Sequence, residues 1–417
     1  MSLVIRNARL RGYEKPRDIL VEDGRIARIA DRIATRSDRE IDAQGRLTSP
    51  AFIDPHIHLD KILIGEVARP NVSGSLWEAI EIMWELKREY TVEDVKRRAE
   101  RVVEWAVMNG TTRIRTHVDV DTIAGLTPLR ALLELRRECA DIADVQIVAF
   151  PQEGIVRDEG AEELLRKAMD MGADVVGGMP HAEMTDDDSK RHVDVIFEIA
   201  KEYDADIDAH VDETDDPYSR CLEYIACKTV REKYQGRVMV DHACALASYD
   251  DYHAERVIRW LKEAGINVET NPETNVVLQG RLDTYPKRRG LTRVKQLLRS
   301  GINVTYGQDC IKDTFYPFGQ ADMLEVGFVL ALLEQMTLPQ EINAVFDMAT
   351  VNAAKAIGAI DDYGIEVGKR ADIVVIDAES VQEALRVRPS RLYVIRNGRI
   401  VAEGRATKRV IRAGQVP

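Results

Sequence analysis

The apolar run PAFIDPHIH ends in His56-Ile57-His58, and the two-residue repeat of an extended strand points both imidazoles to the same side. Two nitrogens so placed can serve one metal ion. Other apolar runs end in comparable groups: ADIDAHVDE carries His210 and, three residues on, Glu213; RVMVDHACA carries His242; INVTYGQDC carries Asp309. Three histidines and one aspartate drawn from this group supply neutral nitrogens and one hard anionic oxygen. That set suits a single divalent ion, Zn²⁺ or Fe²⁺, with a position left for water. Such an ion brings the pKa of water toward ~7 and makes hydroxide available at neutral pH. A lone strand histidine is more often a hydrogen-bonded core residue than a ligand. Here four of the chain's eight histidines end three such runs, a clustering that core packing does not call for. His117 and His181 also end apolar runs and read as support for the ligands; His192 and His253, in helical or loop surroundings, read as surface residues.

To act together, the runs that carry these groups must lie side by side with their C-terminal ends at one mouth. Eight strand candidates alternate with amphipathic stretches: PAFIDPHIH, TTRIRTHVDV, VQIVAFPQEG, ADVVGGMPHAE, ADIDAHVDE, RVMVDHACA, INVETNPET and INVTYGQDC. Helical runs such as VEDVKRRAERVVEWAVM, AEELLRKAMDM and RHVDVIFEIAKEY fill the gaps, and Asn109-Gly110, Gly172, Gly236, Gly265 and Gly301 stop helices just before five of the strands. Eight such repeats over about 300 residues predict an α/β fold of the TIM (β/α)8 type, usually ~250 residues plus insertions, with its reactive groups at the C-terminal ends of the strands. A doubly wound sheet would carry GxGxxG after its first strand, and none is present. Residues 1–50 and 366–417 have a different texture, short β-branched runs such as LVIRNARL, DILVEDGRIARIA, ADIVVIDAE, LYVIRNGRIVAEG and KRVIRAG. Hairpin signals fall at Asp23-Gly24 and Asn397-Gly398. These ends predict the two parts of one small β domain flanking a barrel at 51–365.

Composition narrows the partners. Fifty-eight Lys and Arg against 71 Asp and Glu give a net charge of −13, which repels polyphosphate and anionic membrane surfaces, so the expected partner is a small uncharged molecule rather than nucleic acid or membrane. Five scattered cysteines without CxxC spacing fit a reduced compartment. The opening segment breaks its apolar residues with charges, which is not signal-peptide texture, and no apolar run approaches membrane-spanning length. The expected address is the cytoplasm. The HxE and PCxxC pair of the nucleic-acid cytidine deaminases is absent.

The constellation His56-x-His58, His210-x-x-Glu213, His242 and Asp309 resembles the mononuclear deaminase branch of the amidohydrolase superfamily. More narrowly, the chain is similar to the bacterial cytosine deaminases of that superfamily and the related N-isopropylammelide hydrolases. The similarity covers nearly the whole chain, through DPHIHLD at 54–60, RTHVDVD at 115–121, IVAFPQEG at 147–154, ADVVGGMPH at 173–181 and LQGRLDTYPKRRG at 278–290. The resemblance implies a distorted TIM barrel, a small β-sandwich formed by both termini, and a homo-oligomer. It also implies that His56, His58, His210 and Asp309 ligate the metal, that Glu213 transfers protons, that His242 contacts the attacking water and that Gln152 grips a pyrimidine ring. Physical chemistry agrees with each role. A carboxyl just beyond a ligand is placed to protonate ring N3 and assist ammonia, and an amide offers the donor and acceptor that pair with a cytosine N1–H and C2=O edge.

The departures from that pattern fall on the substrate wall. Cys310 stands where a second Asp commonly follows the ligand, Gln308 where His often precedes it, Phe315 where Trp is common, and Ala243-Cys244 beside His242. If Cys310 faces ring carbon 5, a methyl there finds an apolar niche, which implies deamination of 5-methylcytosine to thymine as well as of cytosine. The competing readings are hydrolysis of an N-substituted aminotriazine of the ammelide type, and a non-catalytic scaffold. Scaffolds of this superfamily usually lose ligands, and all are present here.

Overall fold

In the computed structural model, which describes residues 2–408 and 410, the chain forms an (β/α)8 barrel with two small sheets built from its termini. The first sheet contains β1 (Ser2–Ala8), β2 (Arg17–Glu22), β3 (Arg25–Ala30) and β4 (Arg39–Asp42), in the order β3-β2-β1-β4. The chain then adds β5 (Leu47–Pro50) to a second sheet and enters the barrel. Eight barrel strands follow: β6 (Phe52–Ile57), β7 (Thr111–Asp119), β8 (Asp144–Phe150), β9 (Val175–Gly178), β10 (Asp206–Val211), β11 (Val238–His242), β12 (Asn267–Thr270) and β13 (Val304–Tyr306). The second sheet is completed by β14 (Ile373–Ile376), β15 (Arg391–Arg396) and β16 (Arg399–Glu403), in the order β16-β15-β14-β5. Leu3, Ile5 and Ile19 of the first sheet share one buried cluster with Ile373, Val375 and Ile395 of the second. The two sheets therefore form a sandwich contributed by both ends of the chain.

Both hairpin signals are turns. Asp23 and Gly24 have φ of 49° and 78°, Asn397 and Gly398 of 48° and 73°, the pair of left-handed residues that a two-residue hairpin with native strand twist requires. The run at 408–414 expected to add a further strand falls mostly outside the described residues.

The barrel strands are parallel and follow one another in chain order from β6 to β13. At the seam between β13 and β6 the Asp309 amide donates to the His56 carbonyl at 2.8 Å and the His58 amide to the Asp309 carbonyl at 3.0 Å. Two expected ligand segments are thus joined by backbone where the sheet closes. Gly307 is needed for this approach, because a Cβ there would lie 2.5 Å from the His56 carbonyl oxygen.

The helices that matter to the site are α1 (Leu76–Lys87), α2 (Val92–Met108), α3 (Thr127–Glu138), α4 (Ala161–Asp170), α5 (Asp186–Glu202), α6 (Cys221–Arg231), α7 (Asp251–Glu263) and α8 (Pro272–Leu278). In α2 the apolar stripe Val95, Ala99, Val102, Val103, Ala106 is buried, Thr91 caps the first turn by accepting from the Asp94 amide at 3.2 Å, and Asn109-Gly110 ends the helix. Each fully buried valine of such a stripe contributes ~1.5–3 kcal/mol, which fixes the helix on the sheet and the strand ends at the mouth. Among the described residues no helix is long and apolar enough to cross a membrane.

Candidate active site

Alternation along the barrel strands sends a polar column inward from several of them. On β7 the residues Arg115, His117 and Asp119 are all buried, on β10 Asp208 and His210, on β6 Asp54 and His56. Strand ends then turn sharply: Asp212, His242, Ala243 and Asp309 have φ of 51°, 63°, 47° and 63°. Left-handed backbone at residues other than glycine costs ~1–3 kcal/mol each and collects at functional sites. At His242 the turn has a clear use. Strict alternation would send Asp241 and His242 to opposite faces, whereas here both are buried beside the imidazoles of β6 and β10.

His56, His58, His210 and Asp309 each offer one ligand atom, and these atoms all lie within 4.8 Å of one another. His58 Nε2 is 3.0 Å from His210 Nε2, and Asp309 Oδ1 is 3.4 Å from the Nε2 atoms of both His56 and His58. Ligands ~2.0–2.1 Å from a tetrahedral ion stand about 3.3 Å apart, so the spacing fits an ion of that size. The buried His56 Nε2 has no hydrogen-bond partner, a desolvation cost of ~1–3 kcal/mol that coordination would remove. Burial, then the neighbouring Lys61 and His56, holds the His58 imidazole well below its ordinary pKa; burial, then His56 and His242, does so for His210. Both rings are therefore in the neutral form that ligation needs. Burial pushes the Asp309 carboxyl up, but the adjacent His56 imidazole and the charge of His242 outweigh it and bring the group down to about 2.

A carboxylate layer underlies these imidazoles. Asp241 Oδ2 lies 3.2 Å from His56 Nδ1, 3.5 Å from His210 Nδ1 and 3.3 Å from His117 Nε2. A carboxylate so placed, were it to accept from Nδ1–H, would fix the tautomer that turns the Nε2 lone pair toward the centre. Asp208 approaches His117 Nε2 at 3.4 Å and is itself tied to the buried Arg115 at 2.7 Å. His56, His117, His210 and Asp241 also form a convergent set of their own, as do His58, Asp60 and Asp119. In the first of these Asp241 occupies the Nδ1 side of two ligands; in the second Asp119 is taken by two lysines, Lys61 at 2.6 Å and Lys87 at 2.5 Å.

The remaining expected residues meet in one narrow cavity over this centre, lined by His58, Lys61, Gln152, Glu213, His242, Asp309, Cys310 and Phe315, with Leu76 and Ile80 of α1 and Leu278 of α8. Glu213 Oε1 accepts from Asn275 Nδ2 at 3.2 Å and faces His242 Nδ1 at 3.4 Å, while Asn275 Nδ2 is also 3.0 Å from His242 Nδ1. Burial, then the charge of Asp309, pushes Glu213 well above the ordinary carboxyl range, which lets the group hold a proton near neutral pH and pass it on. Cys310 is buried in an apolar cluster with Phe150, Met179, Leu278 and Phe315. Burial, then Asp309 and Asp313, pushes its thiol well above the ordinary range.

His192 departs from its expected place. It is not a surface residue but wholly buried: its Nε2 accepts from the Met179 amide at 3.0 Å and its Nδ1 pairs with Glu183 at 2.7 Å, tying α5 to the end of β9. The polar residue sits on the core stripe of an amphipathic helix, where a neighbouring strand end satisfies both nitrogens. His253 is partly exposed on α7. His181 follows β9 and lines the wider basin outside the cavity. Sequence reasoning did not single out Lys61, Asp208, Glu269, Asn271 or Asn275. Asp208 is two residues before His210 on one strand face, a signal that alternation alone provides; Lys61 and Asn275 lie on turns and a short helix, where no periodicity marks a direction.

Comparison with known proteins places the whole arrangement in one class. The model of the Amidohydrolase family matches residues 39–416. N-isopropylammelide isopropyl amidohydrolase of Pseudomonas sp. (strain ADP) is 34% identical over 409 residues, covering 96% of this chain and 97% of that protein. Among solved structures, 5-methylcytosine deaminase from Klebsiella pneumoniae liganded with 5-fluorocytosine superposes with a TM-score of 0.94 at 39% identity over the full length of both chains. N-isopropylammelide isopropylaminohydrolase from Burkholderia multivorans does so with a TM-score of 0.85 at 31% identity, covering 97% of this chain and 98% of that one. Fold and site thus define a hydrolase of C–N bonds built on an (β/α)8 barrel. The chain belongs to the amidohydrolase family.

Proposed function

We propose that the protein hydrolytically deaminates a free aminopyrimidine base, cytosine or a 5-substituted cytosine, converting 5-methylcytosine to thymine and releasing ammonia. The observation that carries the reading is the convergence, in one cavity, of a four-ligand centre, a proton-holding Glu213, an amide at Gln152 and an apolar wall at Cys310. The full-length likeness to a 5-methylcytosine deaminase supports it. His56, His58, His210 and Asp309 would hold one divalent ion, Zn²⁺ or Fe²⁺, which when bound supplies Lewis-acid activation of water.

The chain's own residues do the rest. Gln152 and the cavity walls hold the ring, and Leu76, Ile80 and Leu278 keep bulk water away from it. His242, hydrogen-bonded by Asn275, orients the attacking water against ring carbon 4. Glu213 delivers a proton to ring N3 and then one to the exocyclic nitrogen. The carbon–nitrogen bond breaks as that nitrogen becomes ammonia, the water oxygen stays on carbon 4 as a carbonyl, and no oxidant or reductant enters.

A second reading has an observation of its own, the 34% identity to an N-isopropylammelide hydrolase across nearly the whole chain. The same residues would then release an alkylamine from a triazine ring. Steady-state assay of metal-reconstituted protein on cytosine, 5-methylcytosine, isocytosine, ammelide and N-isopropylammelide separates the two: ammonia from cytosines supports the first reading, and isopropylamine with inert cytosines replaces it with the second.

A further inference from the structure

Lys61 is an unusual residue to find in the wall of a buried cavity. It is 1% exposed, it lies three residues beyond the ligand His58, and it lines the cavity together with Glu213, Asp309 and Cys310. Its ammonium donates to Asp119 Oδ1 at 2.6 Å and to Gln152 Oε1, and it sits 5.4 Å from the ring centroid of Phe150 and 5.8 Å from that of Phe315. An ammonium has three donors and no acceptor. Two are used, and the third remains in a space bounded by aromatic faces and the cavity.

The lysine also decides which way Gln152 faces. Because Lys61 only donates, the amide oxygen must be the atom that meets it, so the amide nitrogen points away. That nitrogen is buried and has no partner in the protein. Asp119 holds the lysine in place and is itself gripped from the other side by Lys87, which also pairs with Asp121 at 2.8 Å and Glu153 at 2.9 Å. Burial pushes Asp119 up, but the charges of Lys61 and Lys87 outweigh it and keep the carboxylate below its ordinary range.

Two unsatisfied donors side by side, one of them cationic, recognise an acceptor and reject a donor. We infer that Lys61 and Gln152 Nε2 form a cradle for a ring carbonyl oxygen, making Lys61 a specificity-determining, substrate-binding residue that selects heteroaromatic rings with an oxo group flanking the reacting amidine. The inference rests on the deaminase reading and deepens it, and cytosine and ammelide share this feature. As water adds and electron density moves onto the ring, the oxo group becomes more anionic, so the ammonium binds the transition state more tightly than the ground state. Both kcat and KM therefore depend on it.

The test compares ligands with and without the oxo group at ring carbon 2. Native metal-loaded protein is assayed on cytosine and on 4-aminopyrimidine, which lacks the oxo group, and its affinity for uracil and for 4(3H)-pyrimidinone, which keeps the carbon-4 oxygen and lacks the carbon-2 one, is measured by calorimetry; Lys61→Met and Lys61→Arg follow, with metal content and thermal midpoint recorded. Native protein should favour cytosine and uracil over the analogues that lack the carbon-2 oxo group by at least ~10-fold, and Lys61→Met should shrink that ratio by roughly 10- to 150-fold, the worth of a charged hydrogen bond, with partial rescue in Lys61→Arg. A lysine with only a structural role would lower all ligands together and leave the ratio fixed. A native ratio near one, or a ratio unchanged in folded Lys61→Met, overturns the inference while deamination itself stands, and the native ratio decides the matter if the variant does not fold. Uracil binding that depends on Lys61 in a protein that deaminates nothing would overturn the functional reading and keep the cradle; a protein that neither binds nor deaminates overturns both.

Discussion

Replacing Cys310 by aspartate should convert the selectivity of the cavity. The thiol is buried against Phe150, Met179, Leu278 and Phe315, its sulphur 3.5 Å from Asp309 Oδ1, and Asp313 sits close by with its carboxyl pushed up to about 7 by burial. A methyl group on ring carbon 5 that packs on this wall gains ~0.8 kcal/mol, about fourfold in kcat/KM. A carboxylate in place of the thiol removes that niche and adds two oxygens that require solvation, so the methylated base loses ~1–3 kcal/mol relative to cytosine, or ~10- to 200-fold. Cys310→Ser keeps the space and the neutrality, and should move the ratio by less than about fourfold. The measurement is kcat/KM for 5-methylcytosine and cytosine with native, Cys310→Ser and Cys310→Asp proteins at equal metal content, which removes effects on the adjacent ligand from the comparison. A native enzyme that strongly prefers cytosine, or a Cys310→Asp variant that keeps the native ratio, refutes the assignment of this wall to ring carbon 5.

Glu213→Gln should retain its metal and lose turnover by ~10²–10⁴-fold or more, since the proposed reaction uses this residue in more than one proton transfer; near-native kcat would assign proton transfer elsewhere. Chelation should abolish turnover and lower the thermal midpoint, with Zn²⁺ or Fe²⁺ restoring both, because an ion bound only by the folded state adds to its stability; an unmoved midpoint would place the ion outside this centre. Asp241→Asn should weaken metal affinity by ~10- to 100-fold, the usual effect of losing a carboxylate behind ligating imidazoles, and an unchanged affinity by competition with a chromophoric chelator would separate Asp241 from ligand orientation. Glu273 on α8 has its carboxyl raised by burial from 4.5 to about 7, so the folded state holds a proton that the unfolded chain releases at lower pH. Its relative stabilisation is full below 4.5 and lost as pH rises through about 7, a change of roughly 3 kcal/mol at 1.36 kcal/mol per pKa unit. Glu273→Gln should therefore flatten the decline in guanidinium midpoint between pH 5 and 8 (roughly the window of that titration), and an equally steep decline would show that other groups set it.

Periodicity explains which parts of this molecule can be read from its residues. Most barrel strands carry apolar residues on their helix-facing side and lead into polar groups, because a parallel strand covered by helices must be apolar on that side while its ends reach the mouth. The two hairpins announce themselves through Asp23-Gly24 and Asn397-Gly398, whose left-handed φ values few other pairs adopt easily. His192 misleads for the same reason that makes the rest legible. Polar residues on an amphipathic helix usually face water, and nothing local reveals that the Met179 amide and Glu183 wait at the neighbouring strand end to satisfy this one.

The less legible half of the site is electrostatic. Asp208, Asp241 and Glu269 come from three separate strands and meet under the ligand imidazoles, wholly buried. Burial pushes Asp241 and Glu269 well above the ordinary carboxyl range, and repulsion adds to it, from Asp208 on Asp241 and from Asp241 on Glu269. Isolated in a core such a set would be strongly destabilising; over it sit five imidazoles and the place for a divalent cation, whose charge reverses the sign of the local balance. A buried excess of carboxyl groups fits a centre at which a divalent ion could sit. The same logic extends to the cavity wall, where Lys61 shares Asp119 with Lys87. Strand geometry delivers these groups, but charge matching across strands far apart in sequence decides which of them pair with one another and which stay open to the cavity, and that matching becomes visible only once the barrel has closed.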